Sequence, residues 1–84
     1  MLVVKKDSAQ GFEELLGKRV TFFGAVYIYT GDLVAVDKTW AKLENAAIVY
    51  ETGAFTDEEW KDAQALPHPV FIRLSSVESV MILK

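Results

Sequence analysis

The chain has 84 residues, of which 51% are hydrophobic, and it carries a formal net charge of -3 at pH 7 with no cysteine. A domain this small buries only about 60% of the surface of its unfolded chain, so we expect one domain, residues 1–84, that gains further burial by self-association. The lack of cysteine excludes a disulfide framework and a thiolate metal site. The negative charge argues against binding of nucleic acid through bulk charge alone.

The distribution of charged and apolar residues along the chain indicates in which cellular compartment the protein is expected. Charged residues lie near the start, where a signal peptide needs a long apolar centre, and no window approaches the about 20 apolar residues of a membrane span. We therefore expect a cytoplasmic protein without membrane contact. Residues 56–66 carry a net charge of -3, so the rest of the chain is neutral in total and can still carry a local basic rim.

The first predicted element is a short helix over Ser8–Leu16. Asp7 and Ser8 are suitable N-cap residues, and Phe12 begins an apolar stripe at helical spacing. Gly17 suits the position just past the end of a helix.

Residues 16–46 are predicted to form three consecutive antiparallel strands, because apolar and polar residues alternate along them. Val20 and Phe22 alternate with Arg19 and Thr21, Val26 and Ile28 with Tyr27 and Tyr29, and Leu43 lies between Lys42 and Glu44. The first strand is expected to reverse near Gly24. Gly31 interrupts an unusually long run and predicts a bulge or a sharp bend. The third strand is expected to continue to Glu51.

The next segment predicts a helix, Thr56–Leu66, inserted between the third and fourth strands. Thr56 and Glu59 have the T-x-x-E spacing of a capping box, and apolar residues follow at helical spacing from Trp60. We expect Trp60 to anchor the helix to the strands, and the prolines after Leu66 to end it.

The last part of the chain predicts two more strands. In the fourth strand, from Val70, the side chains of Phe71 and Arg73 are expected on the face opposite to their neighbours. A tight turn at residues 75–76 then leads into the fifth strand, Val77–Leu83.

Catalysis and metal binding have little support in the sequence. His68 is the single histidine, and its place between two prolines predicts an exposed loop rather than a catalytic or zinc site. The acidic residues lack the spacing of a calcium loop, and no glycine-rich nucleotide loop is present. We expect a protein that is not an enzyme and that uses no metal or cofactor.

The two strand regions resemble the two motifs of the Sm/Sm-like family of RNA-binding proteins. The first motif matches at Leu16, Lys18, Val20, Phe22, Gly31, Leu33, Asp37, Leu43 and Ala46, and the second covers Val70–Ile82. The resemblance implies a mainly β fold, a small, strongly bent five-stranded antiparallel barrel of the SH3-like kind. It also implies a homo-oligomeric ring, in which the fourth strand of one subunit pairs with the fifth of the next, that acts without catalysis in RNA processing or as an RNA chaperone.

The resemblance also implies where single-stranded RNA would bind. In the family, the loop after the second strand and the turn between the last two strands meet at the pore of the ring. The matching residues are Asp37, Lys38 and Trp40 in the loop and Arg73 and Ser75 in the turn. A base can stack on Trp40 while Lys38 and Arg73 contact phosphates. Asp37 is also expected to shape its loop as an Asx-turn, and its carboxylate is an alternative partner for Arg73.

Two positions depart from the family pattern. Trp40 and Ala41 stand where the family loop ends in an Asn that contacts the base, and Leu74 stands where Gly follows the Arg. Stacking without base specificity is compatible with both changes. They also leave open a structural or protein-interaction ring that has lost RNA binding, with the acidic inserted helix as its partner surface. In that case Trp40 covers the barrel end or lies in a subunit interface.

Overall fold

Six antiparallel strands form one sheet in residues 11–84, the part of the chain that the computed structural model describes. They are β1 (Arg19–Gly24), β2 (Ile28–Val36), β3 (Trp40–Glu51), β4 (Asp62–Ala65), β5 (Val70–Arg73) and β6 (Val77–Met81). The order across the sheet is β4-β3-β2-β1-β6, and β5 also pairs with β3. Strands make up 54% of the structure, which confirms the mainly β prediction. The sheet has one strand more than predicted and is not closed into a barrel.

The core lies on the inner face of strands β1, β2, β3 and β5. Its buried apolar residues are Val20, Phe22, Leu33, Ala41, Leu43, Ala46, Val49 and Ile72. The predicted inward positions of Val20, Phe22 and Leu43 are therefore confirmed. Thr21, predicted on the polar face of β1, is instead fully buried and donates a hydrogen bond to the carbonyl of Leu83 at 2.8 Å. The chain after β6 thus covers the outer face of β1.

The bulge predicted at Gly31 is confirmed. The pairing of β2 with β3 shifts register between Thr30 and Asp32. A Cβ atom on Gly31 would lie 3.1 Å from the carbonyl oxygen of Glu44 and 3.1 Å from the Cβ of Leu43. The close approach of β3 therefore favours glycine here, because β3 would have to move by a few tenths of an ångström to admit a side chain.

The predicted inserted helix, Thr56–Leu66, is wrong. Turns and bends occupy its first half, and Asp62–Ala65 forms β4 instead. The register runs from Ala47 opposite Ala65 to Glu51 opposite Asp62. A lone helix of about three turns is marginal in water, whereas β4 satisfies backbone groups along the second half of β3. Strand pairing therefore overrides the local helix pattern.

The loop that replaces the first half of that helix is held by Lys84. Its ammonium group donates to the carbonyl oxygens of Thr52 at 2.8 Å, Ala54 at 2.7 Å and Glu59 at 3.2 Å. The same nitrogen lies 4.5 Å from the ring centroid of Trp60. Trp60 therefore supports a loop, and not a helix as predicted.

The predicted N-terminal helix, Ser8–Leu16, is shorter in its described part. Only a 3₁₀ turn, Phe12–Leu15, is present there, while Ser8 to Gln10 lie outside the described residues. Gly17 follows this turn with a φ of 82°, as its position past a helix end suggested. In residues 11–84, no helix is long and apolar enough to cross a membrane.

Replacing Gly31 with Ala should test the bulge. We expect Gly31→Ala to lower the free energy of unfolding by about 1–3 kcal/mol, because the new methyl group would lie only 3.1 Å from the carbonyl oxygen of Glu44 and would push β3 away. The measurement is urea denaturation. Ser79→Thr adds a methyl group at an exposed position of β6 and should stay within about 0.5 kcal/mol of the parent. Equal stability of Gly31→Ala and the parent would contradict the tight approach.

Replacing Lys84 should test the loop that stands where a helix was predicted. We expect Lys84→Met to lower the free energy of unfolding by about 1–3 kcal/mol, because three carbonyl groups lose a charged donor. The amides of residues 53–60 should also exchange faster with deuterium, as measured by NMR. Unchanged exchange in this loop would show that Lys84 does not hold it.

Candidate nucleic-acid interface

The loop between β2 and β3 is shaped by Asp37. Its Oδ1 atom accepts hydrogen bonds from the backbone N–H groups of Thr39 at 2.7 Å and Trp40 at 2.8 Å. These bonds hold the pKa of Asp37 below its ordinary value, and the bond from Trp40 has the larger effect. The predicted Asx-turn role of Asp37 is therefore confirmed.

The structure brings the two predicted loops together. The backbone N–H of Leu74 donates to the carbonyl of Thr39 at 2.9 Å, which joins the β2–β3 loop to the 3₁₀ turn Leu74–Ser76. Ser75 is exposed in this turn. Lys38 is exposed at the tip of the opposite loop. All five residues predicted for RNA contact thus lie at one end of the sheet, around the first residues of β3.

Trp40 and Arg73 face each other across β3 and β5. They are register partners, and the Cζ of Arg73 lies 5.1 Å from the centroid of the Trp40 ring. The alternative partner named for Arg73 was the carboxylate of Asp37. Among the described residues, however, Arg73 forms no ion pair, and its contact is with the aromatic ring.

A second pair of the same kind lies beside the first. Lys42 is the register partner of Phe71, and its Nζ lies 5.7 Å from the centroid of the Phe71 ring. The sequence prediction did not include these two residues. The pattern that could have found them is the alternation of a strand, because residues two apart share a face. Trp40, Lys42, Phe71 and Arg73 together are called the outer-face patch below.

The outer-face patch borders a shallow recess. The recess has a volume of about 160 Å³. It is lined by Trp40, Lys42 and Phe71 of the patch and by Ala35, Val36 and Asp37. Ala35 is the register partner of Lys42, so its small side chain leaves room in front of the two rings. The recess therefore joins an apolar floor to aromatic and cationic side chains.

A larger apolar cleft lies at another end of the core. It measures about 280 Å³, its floor includes Phe22 and Ile72, and Tyr27, Tyr29 and Val77 line its sides. Tyr27 was predicted to belong to a strand with Val26, but both residues lie before β2 and are more than half exposed. This cleft has no charged lining residue and so differs in character from the outer-face patch.

Metal-binding side chains do not gather in the described residues. No cluster of three or more His, Asp and Glu side chains that could hold a metal ion occurs in residues 11–84. His68 is exposed, as its position between two prolines suggested. The outer-face patch remains the part of the described surface with the most distinctive chemistry.

The chain was compared with known protein families, curated proteins and solved structures. No protein-family model, no curated protein and no solved structure matches the chain.

The loop can be tested through its pH dependence. The unfolded pKa of an Asp is about 3.9, and the folded pKa of Asp37 is lower, so its contribution to stability is present above about pH 4 and is lost as the pH falls through the folded pKa. We expect Asp37→Asn to flatten the fall of the unfolding free energy on acidification, as measured by urea denaturation from neutral to acidic pH. The amide oxygen can still accept both backbone bonds. An unchanged slope would contradict the assignment.

Proposed function

We propose that the protein is a Sm-like, non-catalytic protein that binds single-stranded RNA and assembles into a homo-oligomeric ring. The observation that carries the RNA part is the outer-face patch, in which two aromatic rings each lie beside a cation. Aromatic stacking together with positive charge is the combination used by proteins that bind single strands without base specificity. A role in RNA processing or as an RNA chaperone in the cytoplasm is part of this proposal.

Local charge supports the proposal in spite of the net charge of the chain. Lys38, Lys42 and Arg73 lie in or near the outer-face patch, and the nearby carboxylate of Asp37 is engaged with backbone N–H groups. The acidic run of residues 57–62 lies instead around β4, which pairs with the far half of β3. Phosphates can therefore approach the patch without facing the acidic run.

In residues 11–84, three strands, β4, β5 and β6, each have one open edge, and two of these edges support the ring. In the described residues, β5 pairs only with β3 and β6 pairs only with β1, so each strand has one edge without a partner. Pairing of β5 of one subunit with β6 of the next would satisfy both edges by one repeated contact. Such a contact would also add the burial that a chain of this size needs.

A second candidate function, a ring or scaffold that binds a protein, is favoured by the apolar cleft. Val26 and Tyr27 at its mouth are 79% and 52% exposed, and its floor reaches the core. Exposed apolar surface of this kind is typical of contacts between proteins. On this reading the outer-face patch has no ligand, and substitutions in it leave partner capture unchanged.

Titration of RNA by fluorescence anisotropy tests the first candidate. Short U-rich, A-rich and mixed RNAs should all bind, and more weakly at higher salt. Trp40→Ala should weaken binding about 5- to 150-fold, because one stacked base is worth about 1–3 kcal/mol. A plot of log K against log salt has a negative slope. Arg73→Ala should make this slope less steep by about 0.7 for each phosphate that the variant no longer neutralises.

The control variant is Lys61→Gln, which removes a lysine that directly precedes β4 and pairs with Glu51, at the end of β3 away from the outer-face patch, at 3.1 Å. It has the same change in charge as a patch variant and should bind like the parent. Mass measurement by light scattering tests the ring in the same samples. A monomer at micromolar concentration contradicts the ring, and no RNA binding by a folded parent rejects the first candidate in favour of the second.

A further inference from the structure

We infer that the RNA contact extends from the loop onto the outer face of β3 and β5, where two neighbouring bases stack, one on Phe71 and one on Trp40. This inference rests on the proposed RNA binding and assigns Phe71 as the main stacking residue. Phe71 and Lys42 are not among the residues that the sequence predicted. The inference follows from register, exposure and the shape of the recess.

The register fixes the arrangement of the four side chains. Ala41 and Ile72 are register partners, and they lie between the Trp40–Arg73 pair and the Lys42–Phe71 pair. Because both are buried, the residues on either side of them lie on the outer face. Aromatic and cationic residues therefore alternate along each strand and across the pair. The two rings occupy diagonal positions, which in antiparallel sheets lie about 7–8 Å apart. Adjacent bases of an extended, unstacked strand can each reach one ring at such a spacing.

Exposure makes Phe71 the better platform. The Phe71 residue is 62% exposed and Trp40 is 38% exposed, while each ring has one cation over it, Lys42 at 5.7 Å and Arg73 at 5.1 Å. Phe71 is not part of the core, because the inward position of β5 is taken by Ile72. A base on Phe71 would cover apolar area that the fold leaves in water.

The cations lie where the phosphates of two stacked nucleotides would pass. Lys42 and Arg73 are on opposite strands and at opposite ends of the outer-face patch, one beside each ring. Beyond Trp40, Lys42 and Phe71 of the patch, the recess is lined by Ala35, Val36 and Asp37, so the Asp37 carboxylate is the one polar side chain that it adds. With few groups to contact base edges, the site should accept different bases and discriminate little among them.

Phe71→Leu tests this assignment, because it keeps an apolar side chain and removes the ring. We expect about 5- to 100-fold weaker binding of short single-stranded RNA, and Phe71→Tyr should restore it. The matched control is Phe55→Leu, which removes another exposed phenyl ring, one that contacts Phe23 with its centroid at 6.4 Å. It should bind like the parent.

A second measurement addresses the two bases directly. An RNA with two adjacent abasic positions should lose more affinity than one with a single abasic position, and in Phe71→Leu the second abasic position should have little further effect. With Trp60→Phe, Trp40 is the sole tryptophan, and RNA should quench its fluorescence.

The outcomes separate this inference from the function on which it rests. If the parent binds RNA and Trp40→Ala weakens binding while Phe71→Leu does not, the RNA is bound by the loop alone and the inference is wrong, although RNA binding stands. If the folded parent binds no single-stranded RNA, both the proposed function and the inference fail. Equally weakened binding in Phe71→Leu and Phe55→Leu would also overturn the assignment to the outer-face patch.

Discussion

The architecture depends on the backbone pairing of β3. This strand has 12 residues and pairs with β2 over most of its length. Its other edge is shared, with Trp40–Leu43 opposite β5 and Ala47–Glu51 opposite β4. Buried backbone groups need partners, and no single short strand could satisfy this whole edge. The division of one long edge between two short strands therefore decides where residues 62–73 lie.

The same division separates the outer-face patch from the acidic run of residues 57–62. β5 brings Phe71 and Arg73 beside Trp40 and Lys42, while β4 carries the end of the acidic run to the far half of β3. Net charge describes neither surface. Charges on the surface are screened beyond about 8 Å at physiological ionic strength, so the field near the outer-face patch is set by its own side chains, although the chain as a whole is acidic.

Close packing at one glycine accompanies the bulge in β2. At Gly31 the β2 strand shifts register, and next to this point Asp32 accepts hydrogen bonds from Arg19 at 3.2 Å and from Asn45 at 3.0 Å. These bonds lower the pKa of Asp32, and the bond from Asn45 has the largest effect. The bulge is thus fixed by a steric constraint on the inside and by polar contacts across three strands on the outside.

The candidate site was predictable only in part. Asp37, Trp40 and Arg73 could be named because loop chemistry and resemblance both pointed to them. Lys42 and Phe71 could not be ranked in the same way, since a Lys or a Phe in a strand is ordinary until its cross-strand partner is known. Their significance comes from the register that places Lys42 opposite Phe71 and Trp40 opposite Arg73.

Features that depend on neighbours along the chain could be predicted from the sequence alone. It predicted the mainly β character, the inward positions of Val20 and Phe22, the Asx-turn of Asp37 and the bulge at Gly31, because alternation and glycine act locally. Tertiary structure decided what depends on distant partners. A capping box predicted a helix at Thr56, but the open edge of β3 drew Asp62–Ala65 into a strand, since pairing satisfies backbone groups that a short isolated helix could not bring into the sheet.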